Sequence, residues 1–319
     1  MRAIQVVAPG EVRIVELPSP SPGPGQVLLR VRASAICAAH ELKVFGGQYP
    51  PSMFGEGYPA PPGFPGHEAA GEIVAIGSGV TGLETGQLVA TTGIGGAGTH
   101  AELLLRQADC VVPIPADADP AAAALCEPLG CVLHAVELAG DLTGRTVAVA
   151  GLGPTGLIAV QLVRRAGAAS VLGLDPVAQR RDPAERLGAD RTLDPTAPGA
   201  GGELDRAVEV VVECSGHARS VEQSFRTAAR LLVVFGYTND PIQVDQSVWF
   251  HRELEIRNAR ILGADPMGTF RRAVALFAAG EIDLASLVSC RRPLERYEEA
   301  LALLAERKAL KVVLEPARS

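Results

Sequence analysis

The sequence predicts an α/β protein that combines a doubly wound parallel sheet with a small β-barrel. From residue 146 to residue 235, buried strands alternate with helices, which is typical of βαβ units. The first 110 residues instead contain short alternating strands, glycine, proline and few helices. With 319 residues, of which 47% are hydrophobic, the chain is long enough for two domains with separate cores.

Short strands separated by turns define the first domain. Residues 18–25 form a proline-rich connector, and residues 46–66, rich in glycine and proline, form an ordered loop. This loop leads directly into His67, so it serves either as a surface cover or as a wall of a substrate pocket. The strands are predicted at residues 3–7, 12–16, 27–34, 71–76 and 87–90.

Helices and buried strands define the rest of the chain. An alanine-rich segment at 120–139 is predicted to be helical, and the regular alternation begins at residue 146. We expect one domain over residues 1–127, a parallel-sheet domain over 128–262 and a return to the first domain over 263–319. Further strands are predicted at 146–150, 170–174, 208–213, 231–235 and 311–315, and helices at 154–166, 176–187, 219–229, 266–279 and 293–306.

Composition and charge argue against several functions. The net charge of -7 and the separation of the arginine pairs disfavour nucleic-acid binding. No apolar run reaches the length of a membrane span, and the first residues lack the apolar core of a signal peptide. The six cysteines form no C-x-x-C pair, which argues against a disulfide framework. We therefore expect a cytoplasmic protein without nucleic-acid or membrane partners.

A glycine-rich turn between a strand and a helix predicts a nucleotide site. The turn reads Gly151-Leu-Gly-Pro-Thr-Gly156, and its position between a strand and a helix makes the dinucleotide pattern credible. Gly151 allows the tight turn, Gly153 lets the backbone approach a pyrophosphate, and Gly156 lets the helix pack on the strand. Pro154 and Thr155 open the helix, whose N-terminal N–H groups attract phosphate. This predicts a Rossmann-type site; the alternative is a helix-opening turn that binds no nucleotide.

Asp175 ends the strand after this turn and bears on the choice of cofactor. A carboxylate there accepts hydrogen bonds from the ribose hydroxyls and repels a 2′-phosphate, which favours NAD over NADP. Arg180 and Arg181 lie one turn further on, where either could reach a phosphate. Cys214 and Gly236 follow two later strands, at the end where such sheets bind ligands. They either line the nicotinamide side of the cofactor site or take part in ordinary packing between loops.

Four side chains upstream of the turn are able to bind a metal ion. They are Cys37, His67, Glu68 and Glu127. Zn²⁺ prefers such a mixture of sulfur, imidazole and carboxylate ligands. Each also has an ordinary structural role: a core thiol for Cys37, a hydrogen-bonded polar residue for His67 and a helix-opening carboxylate for Glu127. Their separations exceed any local motif, so the residues alone leave both interpretations open.

Longer stretches around these residues resemble one enzyme family. Gly66-His67-Glu68 followed by Ala-Ala-Gly-Glu-Ile-Val-Ala-Ile-Gly is similar to the zinc signature of the medium-chain dehydrogenases/reductases, the zinc-containing alcohol dehydrogenase superfamily. The resemblance spans essentially the whole chain and implies a GroES-like β-barrel catalytic domain with a Rossmann cofactor domain. Further stretches in the expected order are Ile36-Cys37, Gly98-Thr-His-Ala-Glu-Leu, Glu127-Pro-Leu-Gly, Val212-Glu-Cys-Ser-Gly216 and Lys311-Val-Val-Leu.

The resemblance also implies a metal site and a reaction. In that family the residues at the positions of Cys37 and His67 bind a catalytic zinc ion, and Glu68 binds it directly or supports a ligand. Glu127 stands where the polyol, threonine and glucose dehydrogenase branch carries a carboxylate ligand. The implied enzyme is a zinc- and NAD-dependent oxidoreductase that interconverts a secondary alcohol and its ketone. Its small-molecule substrate is a polyol, sugar, cyclitol or amino alcohol, and its expected assembly is a homodimer or homotetramer.

Two departures from the family pattern change the expected chemistry. Thr91-Thr-Gly-Ile-Gly-Gly-Ala-Gly98 replaces a lobe with four cysteines, so we expect one catalytic zinc and no structural zinc. Ala39 stands where the family has a serine or threonine that begins the proton relay, and His40 stands in place of an aspartate. An imidazole is a suitable acid or base near neutral pH, so His40 is the first candidate for the relay.

The absence of a hydroxyl at Ala39 leaves both the proton relay and the reaction class open. Glu68, Glu41, His134 and a water molecule at the metal are further candidates for the relay, or ordinary alcohol chemistry is lost. The missing hydroxyl also motivates a zinc-independent NAD(P)H reductase of the same fold. A third possibility is a nucleotide-binding protein without catalytic turnover, although the presence of all four metal-capable side chains argues against it.

Overall fold

The computed structural model describes residues 1–48, 57–260 and 263–316, and the chain forms two compact units. The first unit consists of Met1–Pro128 with Arg271–Ser319, and the second of Leu129–Phe270. The second unit thus continues past its predicted end at residue 262, because the first residues of the helix Pro266–Ala278 group with it. The roles that the sequence suggests for the two units stay predictions.

The strands and helices of the described residues have the following bounds. The strands are β1 (Arg2–Ala8), β2 (Glu11–Glu16), β3 (Gln26–Ala35), β4 (Glu68–Ile76), β5 (Leu88–Thr92), β6 (Leu103–Gln107), β7 (Val111–Pro113), β8 (Thr146–Ala150), β9 (Ser170–Leu174), β10 (Arg191–Leu193), β11 (Val208–Glu213), β12 (Ala228–Val234), β13 (Glu255–Asn258), β14 (Val288–Arg292) and β15 (Lys311–Leu314). The helices are α1 (Ala38–Phe45), α2 (Pro120–Ala123), α3 (Cys126–Leu138), α4 (Pro154–Arg165), α5 (Ala178–Arg186), α6 (Ala200–Glu203), α7 (Ala218–Thr227), α8 (Gln246–Phe250), α9 (Pro266–Ala278) and α10 (Tyr297–Ala305).

The first unit is built on a seven-stranded mixed sheet with β3 at its centre. The strand order is β14-β15-β3-β4-β5-β7, and β6 also pairs with β3. Val27, Leu29 and Val31 alternate along β3 and pack into one apolar core with Ile73 and Val89. Side chains two residues apart in a strand share a face, so this alternation fixes the register of β3 against its neighbours. A separate antiparallel pair, β1 and β2, completes the strands of this unit.

The second unit is built on a six-stranded parallel sheet. The strand order is β10-β9-β8-β11-β12-β13, which is the 3-2-1-4-5-6 order of a doubly wound nucleotide-binding sheet. The central strands β8 and β11 are rich in valine and almost wholly buried, as expected for a parallel sheet covered on both faces. The order reverses between these two strands, and such reversals are where open α/β sheets bind ligands.

Several predicted elements agree closely with the structure, and others differ. The strands predicted at 146–150, 170–174 and 208–213 have the observed bounds. The predicted helix 120–139 is interrupted, because α2 ends at Ala123 and α3 begins at Cys126. The sequence pattern does not predict helix α1. Part of the predicted loop 46–66, including Tyr49 and Phe54, lies outside the described residues. No helix in the described ranges is both long and apolar enough to cross a bilayer.

Candidate active site

Three side chains with metal-binding atoms converge in the first unit. Cys37 follows β3, while His67 and Glu68 stand at the start of β4. Ala35 at the end of β3 pairs with Glu68, so the antiparallel register brings the two chain segments together. The ligand atoms of Cys37, His67 and Glu68 all lie within 4.8 Å of one another. Within the described ranges, no other group of three such residues is this close.

Hydrogen bonding fixes the orientation of the His67 ring. Its Nδ1 lies 2.9 Å from the carbonyl oxygen of Pro65, and because a carbonyl can only accept, Nδ1 carries a proton. Nε2 faces the cluster and lies 3.9 Å from Glu68 Oε1. Histidine ligands of metals are commonly oriented in this way, by a hydrogen bond from the ring nitrogen that does not bind the ion.

Negative charge collects around His67. Burial lowers the pKa of His67, but the hydrogen bond and charge of Cys37 and the charges of Glu127 and Glu68 outweigh it. The pKa of His67 is therefore raised well above its ordinary value, so that Nε2 also carries a proton in the metal-free protein. A divalent cation would satisfy the same negative charges. Sulfur, nitrogen and oxygen donors at this separation fit one Zn²⁺ ion, whose binding would displace that proton.

Glu68 forms a buried ion pair that leaves one of its oxygens available. Lys311, the first residue of β15, donates from Nζ to Glu68 Oε1 at 2.6 Å. Burial lowers the pKa of Lys311, but the charges of Glu68, Cys37 and Glu41 raise it above its ordinary value. Glu68 Oε2 is buried and has no hydrogen-bond partner among the described residues. A buried carboxylate oxygen without a donor is costly, and a metal ion would satisfy it.

Lys311 was not predicted as a site residue, although one signal in the sequence pointed to it. A lysine that opens the apolar strand Lys311-Val-Val-Leu must be paired if it is buried.

We expect Lys311→Met to lower the free energy of unfolding of the metal-free protein by about 3–5 kcal/mol, because it leaves the buried Glu68 carboxylate without its cationic partner. Urea denaturation measures this, with Lys308→Met at an exposed lysine as the control. A change below about 1 kcal/mol would mean that Glu68 is not held by this pair.

Glu127, the fourth predicted ligand, lies outside the close group of three. It stands in the first turn of α3 and is only 7% exposed. Its negative charge is nevertheless one of the causes of the raised pKa of His67. Glu127 therefore acts electrostatically on the cluster, and its role as a metal ligand stays a prediction.

His40 lies beside the cluster on α1. Its ring centroid is 5.2 Å from that of His67 and 5.6 Å from that of Phe64, with edge contacts to both. Burial and the charge of His67 lower the pKa of His40 to about 4. The imidazole is therefore neutral at pH 7 and a weaker base than an ordinary histidine. Ala39 beside it is exposed and has no polar side-chain atom.

The three glycines of the turn after β8 differ in what surrounds them. Gly151 has φ +87 and packs so closely on Ser215 that an added Cβ would lie 2.6 Å from the Ser215 Cβ. A Cβ on Gly156 would lie 1.8 Å from the carbonyl oxygen of Gly151. A Cβ on Gly153 would meet no atom of the described residues within 4 Å. Packing within the protein explains the first and third glycines, whereas open space for a ligand explains Gly153.

The start of α4 offers N–H groups to that space. Gly153 is the N-cap residue with an extended backbone, and as a glycine it has no side chain with which to cap the helix. Pro154 and Thr155 form its first turn, and the helix is 12 residues long. Uncapped N–H groups and the helix dipole favour an anion at this end. The turn therefore fits the pyrophosphate of a dinucleotide.

Asp175 joins this turn to the next strand. Its Oδ2 accepts from Leu152 N at 2.8 Å and its Oδ1 from Val177 N at 2.8 Å, and the side chain is buried. Arg180 Nη1 lies 3.8 Å from Oδ2, and Arg181 donates to the Asp175 carbonyl oxygen at 2.7 Å. Each carboxylate oxygen can accept a second hydrogen bond, so Asp175 remains able to bind ribose hydroxyls.

Cys214 and Gly236 follow the adjacent strands β11 and β12, and Gly236 N donates to the Glu213 carbonyl oxygen at 2.9 Å. Glu213 is buried and accepts from Ser215 N at 2.9 Å and Ser220 Oγ at 3.0 Å. A Cβ on Gly236 would lie 2.2 Å from the backbone nitrogen of Gly216, so packing alone requires this glycine. Burial raises the pKa of Cys214 well above its ordinary value, which keeps the thiol neutral. The role of both residues toward nicotinamide stays a prediction.

Comparison with known proteins agrees with this arrangement. Residues 23–116 match the family model of the alcohol dehydrogenase GroES-like domain, and residues 154–279 match that of the zinc-binding dehydrogenases. The chain is 29% identical to an L-threonine 3-dehydrogenase of Pyrococcus horikoshii, with 98% of each chain aligned. It is 28% identical to the L-threonine 3-dehydrogenase of Bacillus velezensis, with 94% of each aligned.

A solved structure shows the same fold over the full length. It is described as that of a zinc-binding dehydrogenase from Sinorhizobium meliloti bound to NADP. The TM-score is 0.86 and the identity 29%, with 99% of both chains covered. The strand order of the second unit and the signature around His67 agree with these matches. The chain belongs to the medium-chain dehydrogenase/reductase superfamily, with a GroES-like domain and a zinc-binding dehydrogenase domain.

Proposed function

We propose that this protein is a zinc- and NAD-dependent oxidoreductase that interconverts a secondary alcohol and its ketone. The observation that carries the proposal is the convergence of Cys37, His67 and Glu68 in a chain that also has an open dinucleotide turn at Gly153. Relatives named as L-threonine dehydrogenases, which act on a secondary alcohol, support the same class of reaction. The substrate is a small molecule of the polyol, sugar, cyclitol or amino alcohol class.

The proposed metal site has the ligands Cys37, His67 and Glu127, with Glu68 as a further ligand or as a support. Bound zinc would supply a Lewis acid for the substrate oxygen, and NAD would accept the hydride. The proposal includes one zinc ion per chain and no structural zinc. The charge balance supports one divalent ion, because the negative groups Cys37, Glu68 and Glu127 all act on His67, and Lys311 pairs with only one of them, Glu68.

The side chains around the metal site have separate tasks in this proposal. Lys311 holds one oxygen of Glu68 and leaves the other available, which limits the directions in which this carboxylate can turn. The Pro65 carbonyl keeps Nε2 of His67 toward the cluster. We propose His40 as the residue that passes the substrate proton, in neutral form, because it borders His67 and Ala39 supplies no hydroxyl. Gly153 admits the cofactor phosphates.

The experiment that tests the reaction is a substrate panel. Purified protein with zinc is mixed with NAD⁺ and secondary alcohols of the four classes, and NADH formation is followed by absorbance. We expect turnover with at least one member and none with the matched primary alcohols. A zinc-independent reductase, which the absence of a hydroxyl at Ala39 also favours, would instead be active after complete metal removal. Binding of NADH without any turnover across the panel would favour a non-catalytic protein.

We propose that NAD is preferred over NADP because the buried Asp175 carboxylate stands at the end of β9. Replacing Asp175 by asparagine removes the charge and keeps one side-chain acceptor oxygen for the N–H groups of Leu152 and Val177, which the carboxylate binds with two oxygens. We expect the ratio of kcat/KM for NAD⁺ to that for NADP⁺ to fall by about tenfold or more. Steady-state kinetics with both cofactors measure it. A wild-type protein that prefers NADP⁺, as Arg180 close by would permit, would contradict the proposal.

We also propose that the chain forms a homodimer or homotetramer. Strand β13 lies at one edge of the parallel sheet, and all four of its residues are exposed. Ile256 in this strand and Phe250, five residues before its start, expose 37% and 64% of their surface. Unpaired strand edges and exposed apolar side chains favour association. Light scattering coupled to size exclusion measures the mass, and a monomer at micromolar concentration would contradict this.

A further inference from the structure

A buried polar network in the first unit ends at the backbone of Cys37. Glu41, on the first helix, lies at its centre and accepts from three donors in different segments of the chain. Glu41 Oε2 lies 2.9 Å from His100 Nε2 and accepts from the Tyr297 hydroxyl at 2.7 Å, and Oε1 accepts from Cys37 N at 2.9 Å. His100 Nδ1 in turn lies 2.8 Å from Ser34 Oγ.

The network has the residue types of a catalytic triad but not the access. Ser34, His100 and Glu41 are each 0% exposed, and Tyr297 is 1% exposed. A nucleophilic serine must reach a substrate, so hydrolysis is excluded as the purpose of this arrangement. Fully satisfied buried networks instead rigidify the parts of the chain that they connect.

The contact that distinguishes this network is the hydrogen bond to the Cys37 amide. Cys37 is the N-cap residue of α1 and its side chain does not cap the helix. Glu41, four residues after the N-cap, accepts from the N–H of the N-cap residue, one position later than the glutamate of a capping box. The side chain of Cys37 is therefore free to point elsewhere, and its ligand atom lies within 4.8 Å of those of His67 and Glu68.

We propose that Glu41 is a positioning residue that holds the backbone of Cys37 so that its sulfur faces the metal site. The two other partners of Glu41, His100 and Tyr297, both approach Oε2 and so leave Oε1 for the Cys37 amide. This inference rests on the metal site under the proposed function. It adds that the geometry of the sulfur ligand is set by residues that touch neither metal nor substrate.

A matched pair of variants isolates the hydrogen bond to Cys37. Glu41→Gln removes the charge and keeps an acceptor for the Cys37 amide, whereas Glu41→Met has the same length, no charge and no acceptor. The metal-free proteins are loaded with Co²⁺, and its affinity is measured by chelator competition together with the sulfur-to-cobalt absorption band. We expect Glu41→Met to lose about 10–100-fold in affinity and to shift the band, and Glu41→Gln to stay within about threefold of wild type.

Tyr297→Phe is the control for a purely structural role. It removes a hydrogen bond from the same network and leaves the bond to Cys37 in place, so it should lower thermal stability without altering Co²⁺ affinity or the absorption band. If Glu41→Met does not fold, Glu41→Asp takes its place. Its carboxylate is one methylene shorter and cannot reach both Cys37 and His100, and a loss of fivefold or more in affinity is expected.

The outcomes separate this inference from the proposed function. A Glu41→Met or Glu41→Asp protein that binds Co²⁺ with wild-type affinity and spectrum would overturn the positioning role and leave the metal site intact. An equal loss of affinity in Tyr297→Phe would also overturn it, because general loosening would then explain the effect. A wild-type protein that binds no Co²⁺ at all would overturn the metal site and the inference together.

Discussion

Replacing Cys37 by serine is expected to lower kcat/KM for alcohol oxidation by about four orders of magnitude. Cys37 provides the only sulfur donor in the close group, and a serine hydroxyl binds Zn²⁺ weakly. Loss of the Lewis acid removes several kcal/mol of stabilisation from the developing negative charge, and each factor of ten corresponds to about 1.4 kcal/mol. Steady-state kinetics and zinc analysis of the same sample measure both effects.

Cys290→Ser is the matched control for this substitution. Cys290 lies in β14 and packs against the core that includes Ile4 and Ile36. Because it does not belong to the group of three donor residues, Cys290→Ser makes the same replacement of sulfur by oxygen outside the proposed metal site. We expect it to keep its zinc and its activity. A Cys37→Ser protein that retains full activity, or that loses activity while it keeps one zinc, would contradict the role of Cys37 as a ligand.

Replacing Gly153 by valine is expected to weaken NADH binding by at least about 100-fold while the protein stays folded. A Cβ added at Gly153 meets no described atom within 4 Å, so there is room for a side chain to begin there, and it would extend into the space that the pyrophosphate needs. Its φ of −69 is accessible to any residue, so the backbone is not strained. Fluorescence titration with NADH measures the affinity, and a thermal melt without cofactor measures the stability.

The third glycine of the same turn provides the contrast. Gly156→Ala places a Cβ 1.8 Å from a backbone oxygen, so we expect a loss of stability before any effect on NADH can be measured. Loss of NADH affinity in Gly153→Val together with loss of stability in Gly156→Ala would support the conclusion that Gly153 faces the ligand. Unchanged NADH affinity in Gly153→Val would show that the dinucleotide does not approach this residue.

The parallel sheet could be predicted from the sequence because its strands are short, apolar and separated by helices. Strands β8, β9 and β11 have their predicted bounds, since runs such as Thr146-Val-Ala-Val-Ala are buried on both faces and local pattern alone identifies them. Helix α1 was missed because its eight residues span only about two turns and lie between a strand and a loop rich in glycine. Its position depends on contacts with distant parts of the chain.

The candidate site could be predicted only in part, for the same reason. Cys37, His67 and Glu68 were candidates by chemistry, but only the antiparallel register of β3 and β4 brings them together. Lys311 lies more than 240 residues away from Glu68 in sequence, and no local pattern connects the two. Glu41 appeared among several candidates for a proton relay, whereas in the structure it is a fully buried acceptor of hydrogen bonds.

Zinc titration of the metal-free protein tests the central claim most directly. Zinc is removed with a chelator, added back in steps, and NADH formation with an accepted secondary alcohol is measured at each step. We predict that activity is absent at the start, rises in proportion to added zinc and reaches its plateau at one equivalent per chain. Full activity in the metal-free protein, or a plateau that requires a second equivalent, would contradict the account of one catalytic zinc and no structural zinc.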